Sequence, residues 1–138
     1  MKFTRNGSAN WKGTGKDGVG TVSTETKALD AAKYGYRARF EDGPGTNPEE
    51  LIGAAHASCF SMKLSFVLNE LGFTAENIDT NSAVTFEDGK ITKILLTLNA
   101  SVPGLTEDEF QKAAENAKNN CPVSLLFNAE ISLNATLS

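Results

Sequence analysis

Two cysteines and a single histidine limit the polar chemistry open to this chain. Cys59 lies inside an apolar run of helical character, and Cys121 stands directly before Pro122. A free thiol has a pKa of about 8.5 and is mostly protonated at neutral pH, so reactivity needs surroundings that favour the thiolate. For Cys59 that means a nearby cation, and Arg37 and Arg39 are the candidates. The competing reading is a small core residue. Cys121 differs. If it caps the helix opened by Pro122, the helix dipole lowers its pKa, and residue by residue it is the better activated thiol. Its bland counterpart is a buried cap. His56 lies three residues before Cys59, on a neighbouring helical position, so a cysteine–histidine dyad stands against a hydrogen-bonded core or interface histidine. The cysteines are 62 residues apart, so any pairing between them is tertiary. One histidine and two distant cysteines fall short of a structural metal set, and no phosphate-cradling glycine motif is present. Neither metal nor nucleotide cofactor is expected.

The elements that must position these residues follow from patterning. A chain of 138 residues is most economically one domain, here 1–138. Its 40% apolar and 22% charged residues are ordinary for a globular protein, and a net charge of -4 argues against nucleic-acid binding. The opening Met1 to Gly7 lacks the apolar centre of a signal peptide, so a cytoplasmic location is expected. The apolar stretch from Leu51 to Leu71 is broken by His56, Lys63, Asn69 and Glu70, and is not expected to span a membrane.

Ser8 to Trp11 and Thr21 to Thr24 flank a glycine-rich connection and read as a hairpin. Tyr34 to Glu41 alternates with period two and predicts a third strand, carrying Arg37 and Arg39 on one face. Asn47, Pro48, Glu49 and Glu50 form a helix start, with Asn47 as cap. The helix should run from Pro48 to Leu71 and stop at Gly72. Its apolar residues go nearly all the way round, which predicts cover on most faces. The small residues Gly53 to Ser58 allow close backbone approach, and a two-fold dimer contact is one way to use them. A second hairpin turns at Asp88-Gly89. Thr106 and Glu109 make a capping box for a helix with Phe110, Ala113, Ala114 and Ala117 inward. A short helix after Cys121 and a last strand, Ala129 to Leu137, complete the order βββ-α-ββ-αα-β. Strands in antiparallel hairpins rather than alternating with helices give an α+β class.

Four segments together resemble one family. They are Gly20 to Glu25, Tyr36 to Glu41, the run Gly45-Thr46-Asn47-Pro48-Glu49-Glu50-Leu51-Ile52-Gly53-Ala54-Ala55-His56-Ala57-Ser58-Cys59-Phe60-Ser61-Met62, and Cys121-Pro122-Val123-Ser124. This pattern is similar to the OsmC/Ohr organic hydroperoxide reductase family. The resemblance implies an antiparallel-sheet fold around a long central helix, assembled as an intertwined dimer. It implies thiol peroxidase activity on organic hydroperoxides in oxidative and osmotic stress defence. Cys59 would be the peroxidatic residue and Cys121 the resolving one, reversing the residue-based ranking. Arg39 and Glu49 match the family's positions for holding the reactive thiol, and no cofactor is required. The disulfide would be reduced by an external dithiol, of lipoyl type by family resemblance.

One consequence is geometric. Glu49 and Cys59 are ten residues apart, and an intact helix rises about 1.5 Å per residue, so their backbones stand roughly 15 Å apart. A glutamate cannot bridge that within its own helix. Either the helix breaks or a second subunit supplies Glu49. The small-residue face from Gly53 to Ser58 favours the second and predicts a two-fold dimer with two composite sites, with Arg39 as a further candidate to cross over. Phe60, Met62 and Leu126 are the apolar residues expected to favour bulky peroxides. The rival readings are a non-catalytic dimeric small-molecule binder of the same fold, or a redox sensor.

Overall fold

Residues on either side of the glycine-rich connection form β1 (Gly7–Lys12) and β2 (Val19–Thr24), and β3 (Ala32–Tyr34) pairs with β2, antiparallel throughout. Trp11 and Tyr34 pack their rings across this sheet with centroids 5.4 Å apart. In the computed structural model, which describes residues Met1–Ser138, these strands belong to the first of two units, Met1–Leu51 and Ile52–Ser138.

The alternation after Tyr34 predicts a strand, but the chain forms a one-turn helix instead, α1 (Tyr36–Phe40). Contacts at a spacing of four explain the difference, since they exist only in a helix. The Tyr36 and Phe40 rings pack in a tilted arrangement with centroids 5.0 Å apart, and the Arg37 guanidinium pairs with Glu41 at 3.3 Å. Arg37 and Arg39 therefore do not share a strand face. The element order becomes βββ-αα-ββ-αα-β.

The next turn returns to the sheet, where the Thr46 amide donates to the Lys33 carbonyl at 2.8 Å. Asn47 then starts α2 (Pro48–Glu70) as expected: its side-chain oxygen accepts from the Glu50 amide at 2.8 Å. Its amide group donates to the Ala38 carbonyl of α1 at 3.1 Å. At the far end, Gly72 adopts φ 88°, with the Phe73 amide bonded to Leu68 and the Gly72 amide to Asn69. This is the paired closure of a left-handed helix stop.

In the second unit, β4 (Asn77–Glu87) and β5 (Lys90–Ser101) form a long antiparallel hairpin turned by Asp88 and Gly89, both with positive φ. Thr106 caps α3 (Glu107–Asn120) with both halves of the capping box made. Then come α4 (Pro122–Leu126) and β6 (Glu130–Leu137). β6 pairs with β5 in parallel, so this sheet is mixed rather than purely antiparallel. The crossover through α3 and α4 is what brings the chain back in the same direction.

The core of this unit lies between the sheet and the two longer helices. Phe60, Leu64 and Leu68 of α2 meet Leu96, Leu98 and Ala100 of β5 and Phe110, Ala114 and Ala117 of α3. Each large side chain fully buried here contributes about 2 kcal/mol. Gly53 lets α2 approach β4: a Cβ there would lie 3.0 Å from the Ser82 carbonyl oxygen. α2 buries a single stripe, Gly53, His56, Phe60, Leu64, Val67 and Leu68. Ala54, Ala55 and Ser58 are exposed, as are Met62 (64%) and Phe66 (58%). The expected cover on most faces is thus absent within one chain. By length and composition alone α2 could cross a membrane, with a mean hydropathy of 1.4 over 18 residues; its buried stripe is that of a core helix.

The double role of Asn47 yields a test. Asn47→Ala should lower the free energy of unfolding by about 1 kcal/mol in urea titration, and Asn47→Asp, which keeps the cap oxygen, should recover most of it.

Candidate active site

The two cysteines meet in the second unit. Cys121 is fully buried and its thiol stands 2.9 Å from the sulfur of Cys59, which is partly exposed; both are free thiols. Cys121 is held at a junction. Its amide donates to the Ala117 carbonyl, ending α3, and its carbonyl accepts from the Leu125 amide, starting α4. It occupies the cap position before Pro122, but its thiol makes no cap bond and turns toward Cys59 instead.

The dipole of the helix opened by Pro122 was expected to act on Cys121, but the backbone amide that this helix presents reaches Cys59. The Val123 backbone N–H hydrogen bonds Cys59 and favours its thiolate. Even so, the Cys59 thiol is pushed up within this chain. Burial is the largest cause, the hydrogen bond and charge of Cys121 add to it, and the Val123 amide and the charge of Lys63 only partly offset them.

His56 is fully buried, one turn before Cys59. Its Nε2 lies 2.7 Å from Ser124 Oγ, and its ring meets Phe127 edge-on at 5.2 Å. Burial lowers its pKa, so it stays neutral at physiological pH. It is a hydrogen-bonded core histidine by its contacts. Sequence reasoning singled out His56 but had no signal for Ser124, whose partner lies 68 residues away.

Arg39 and Glu49 also meet, inside the first unit and within one chain. Arg39 Nε lies 3.1 Å from both Glu49 oxygens, and Nη2 lies 2.7 Å from Oε1. The forked geometry is that of a strong charge-assisted pair. Burial pushes the Glu49 carboxyl up, but the Arg39 hydrogen bonds, a backbone bond and the guanidinium charge together hold it below its ordinary value. The same hydrogen bonds raise the Arg39 pKa, so both groups are charged across the physiological range. α2 is unbroken from Pro48 to Glu70, so the ten-residue rise between Glu49 and Cys59 stands at roughly 15 Å. Of the apolar residues expected at the site, Phe60 is core, whereas Met62 and Leu126 are exposed. No group of three or more histidine, cysteine, aspartate or glutamate side chains is placed to hold a metal ion.

Similarity to known proteins agrees with this arrangement. The OsmC family profile, described as OsmC-like protein, matches residues 41–136. Peroxiredoxin OsmC of Escherichia coli (strain K12) is 48% identical over 141 residues, covering 99% of each chain. Among solved structures, an organic hydroperoxide resistance protein from Elizabethkingia anophelis superposes with a TM-score of 0.68 at 26% identity, over 100% of this chain and 99% of that one. An OsmC-like protein from Mycoplasma pneumoniae shares the fold, with a TM-score of 0.77 at 15% identity and 99% coverage of both. With the profile spanning most of its length and a relative nearly half identical over almost all of it, this chain belongs to the OsmC/Ohr family of organic-hydroperoxide-resistance and redox proteins.

Proposed function

We propose that this chain reduces organic hydroperoxides to alcohols, with Cys59 as the attacking thiol and Cys121 as the resolving one. It is a thiol-based peroxidase of the OsmC/Ohr type. The observation that carries the assignment is the 2.9 Å approach of the two sulfurs across 62 residues of sequence. In the first half-reaction the Cys59 thiolate attacks the peroxide oxygen, the O–O bond breaks, and an alcohol departs. Cys59 is left as a sulfenic acid. Cys121 then displaces its oxygen as water and forms the disulfide, which needs the sulfurs to close to about 2.05 Å. An external dithiol returns both to thiols, and a lipoyl-type carrier fits that need.

The attacking role falls to Cys59 because it is the more accessible sulfur and the one that receives the Val123 amide. Its thiol is nonetheless held up within one chain, so the active enzyme requires further positive charge. Arg39, oriented by Glu49, supplies that charge from a second copy of the chain. Two observations support this reading. The intact α2 keeps Glu49 a long way from Cys59 of its own chain. The uncovered face of α2, with Ala54, Ala55, Met62 and Phe66, is an apolar surface suited to a two-fold partner. The assembly is therefore a homodimer with two composite sites.

Treatment with one equivalent of an alkyl hydroperoxide should remove two hydrogens from the wild-type mass and link Cys59 to Cys121. Cys59→Ser should cut turnover with a dithiol more than about a thousandfold. An unchanged mass would favour a binding protein with inert cysteines, and a single oxidation without turnover would favour a sensor.

Arg39→Ala should move the pH midpoint of Cys59 alkylation upward by about one pH unit or more, because a lost cation destabilises only the thiolate. Co-expressing Arg39→Ala with Cys59→Ser should restore about a quarter of wild-type activity, since random pairing rebuilds one composite site in half of the dimers. No recovery would place arginine and cysteine in one chain.

Met62 and Leu126 present apolar surface on the elements that carry the two cysteines. An alkyl hydroperoxide should therefore exceed hydrogen peroxide in kcat/KM by about tenfold or more, the order expected from burying a few methylenes. Equal values would remove the apolar contribution.

A further inference from the structure

The reaction described above makes no use of the only fully buried ionisable side chain besides Cys121, which is His56. Its contacts have a register. Cys59 meets Cys121, and His56, three residues earlier, meets Ser124, three residues later. The pairs are thus related as two rungs between α2 and α4 running in opposite directions, one helical turn apart.

We infer that the buried His56–Ser124 hydrogen bond is a latch that holds α4 on α2, positioning the Cys121 thiol for the resolving step. The inference rests on the peroxidase reading. Several observations carry it. α4 is five residues long, too short to hold its own shape without tertiary partners. Leu125 and Leu126 are 70% and 76% exposed and add little anchorage, which leaves Val123, partly buried against the core, and Ser124 to hold the helix. Ser124 is the one buried residue of α4, and its hydroxyl lies 2.7 Å from His56 Nε2. The opposite ring nitrogen, Nδ1, is buried and without a hydrogen-bond partner. Leaving a bare acceptor costs less than leaving an unpaired N–H, so the neutral ring carries its proton on Nε2 and donates to Ser124. The Phe127 ring packs against the imidazole in an edge-on arrangement, with centroids 5.2 Å apart.

The step being positioned balances without any further reagent. The Cys121 sulfur attacks the sulfenic sulfur of Cys59, the S–S bond forms, and the S–O bond breaks. The hydroxyl leaves with the Cys121 proton as water. Cys121 is oxidised and the Cys59 sulfenic sulfur is reduced. Because the attack is intramolecular, its rate depends on how much of the time α4 is seated.

The test is a single-turnover measurement on the full-length protein. Cys59 is oxidised rapidly with one equivalent of cumene hydroperoxide, and the sulfenic acid is trapped with dimedone after increasing delays. The trapped fraction reports the first-order conversion to disulfide, whatever the rate of the first step. Ser124→Ala should slow that conversion about tenfold, the scale of one buried hydrogen bond. His56→Phe, which keeps the ring volume, should slow it by a similar factor, and the double variant should be no slower than either single one, because both remove the same bond. Should His56→Phe fail to fold, Ser124→Ala alone decides. Disulfide formation at the wild-type rate in Ser124→Ala overturns the latch, and so do single effects that multiply in the double variant. If the wild-type protein forms no sulfenic acid at all, the peroxidase reading itself is lost, an outcome distinct from a wild type that oxidises and a variant that resolves normally.

Discussion

An ionised sulfur is costly in apolar surroundings, and the site of this protein is organised around that cost. Cys59 sits on a helix whose neighbouring turns carry Phe60, Leu64, Val67 and Leu68 into the core. Burial alone would keep it a protonated, unreactive thiol. The chain answers with one backbone amide from α4, and with the charge of Lys63, one turn along α2, which is too weak to reverse the effect. What completes the balance in the proposed assembly is a guanidinium, already charged and already oriented by Glu49 through short hydrogen bonds. Pre-orientation matters there, because a lone arginine would have to surrender side-chain freedom in every catalytic cycle.

The shortest helix of the second unit does a disproportionate share of this work. α4 and its preceding residue supply the buried thiol of Cys121, the Val123 amide and the Ser124 hydroxyl, all directed at one turn of α2 between His56 and Cys59. Pro122 makes this possible. It breaks α3 after Asn120, because the residue before proline disfavours helical geometry, and it pre-sets the first turn of α4. Cys121 is thus extended between two helices, with φ -64° and ψ 126° and both backbone groups bonded. A cysteine in mid-helix would present its sulfur along the helix surface. At this break it can point straight at its partner.

α2 resolves two demands with one sequence. Along one stripe it packs on the sheet and α3, with Gly53 letting the helix approach the Ser82 carbonyl. Along the other it leaves alanines, Met62 and Phe66 uncovered. An all-round apolar helix cannot be satisfied by one layer of neighbours, and the residue types on its open side are those that tolerate a second close surface. The same continuity that makes α2 a good core helix separates Glu49 from Cys59 by roughly 15 Å, and the proposed assembly follows from that separation.

Local signals in the sequence were sufficient wherever a few neighbouring residues decide the outcome. The Asn47 cap, the stop at Gly72, the Asp88-Gly89 turn and the capping box of Thr106 and Glu109 each depend on backbone groups within four residues, and each is found as read. The motif run around Cys59 and the Cys121-Pro122 pair were enough to indicate family and chemistry. Period-two alternation failed at Tyr36–Phe40, where a tilted aromatic contact and an ion pair, each at a spacing of four, outweigh it. The direction of β6 escaped as well, since residue patterning is the same in parallel and antiparallel partners. Which sulfur receives the helix amide, and what holds His56, were beyond local reading for a plainer reason. Both depend on where α4 lands on α2, more than sixty residues away in sequence, and only the packed core sets that landing.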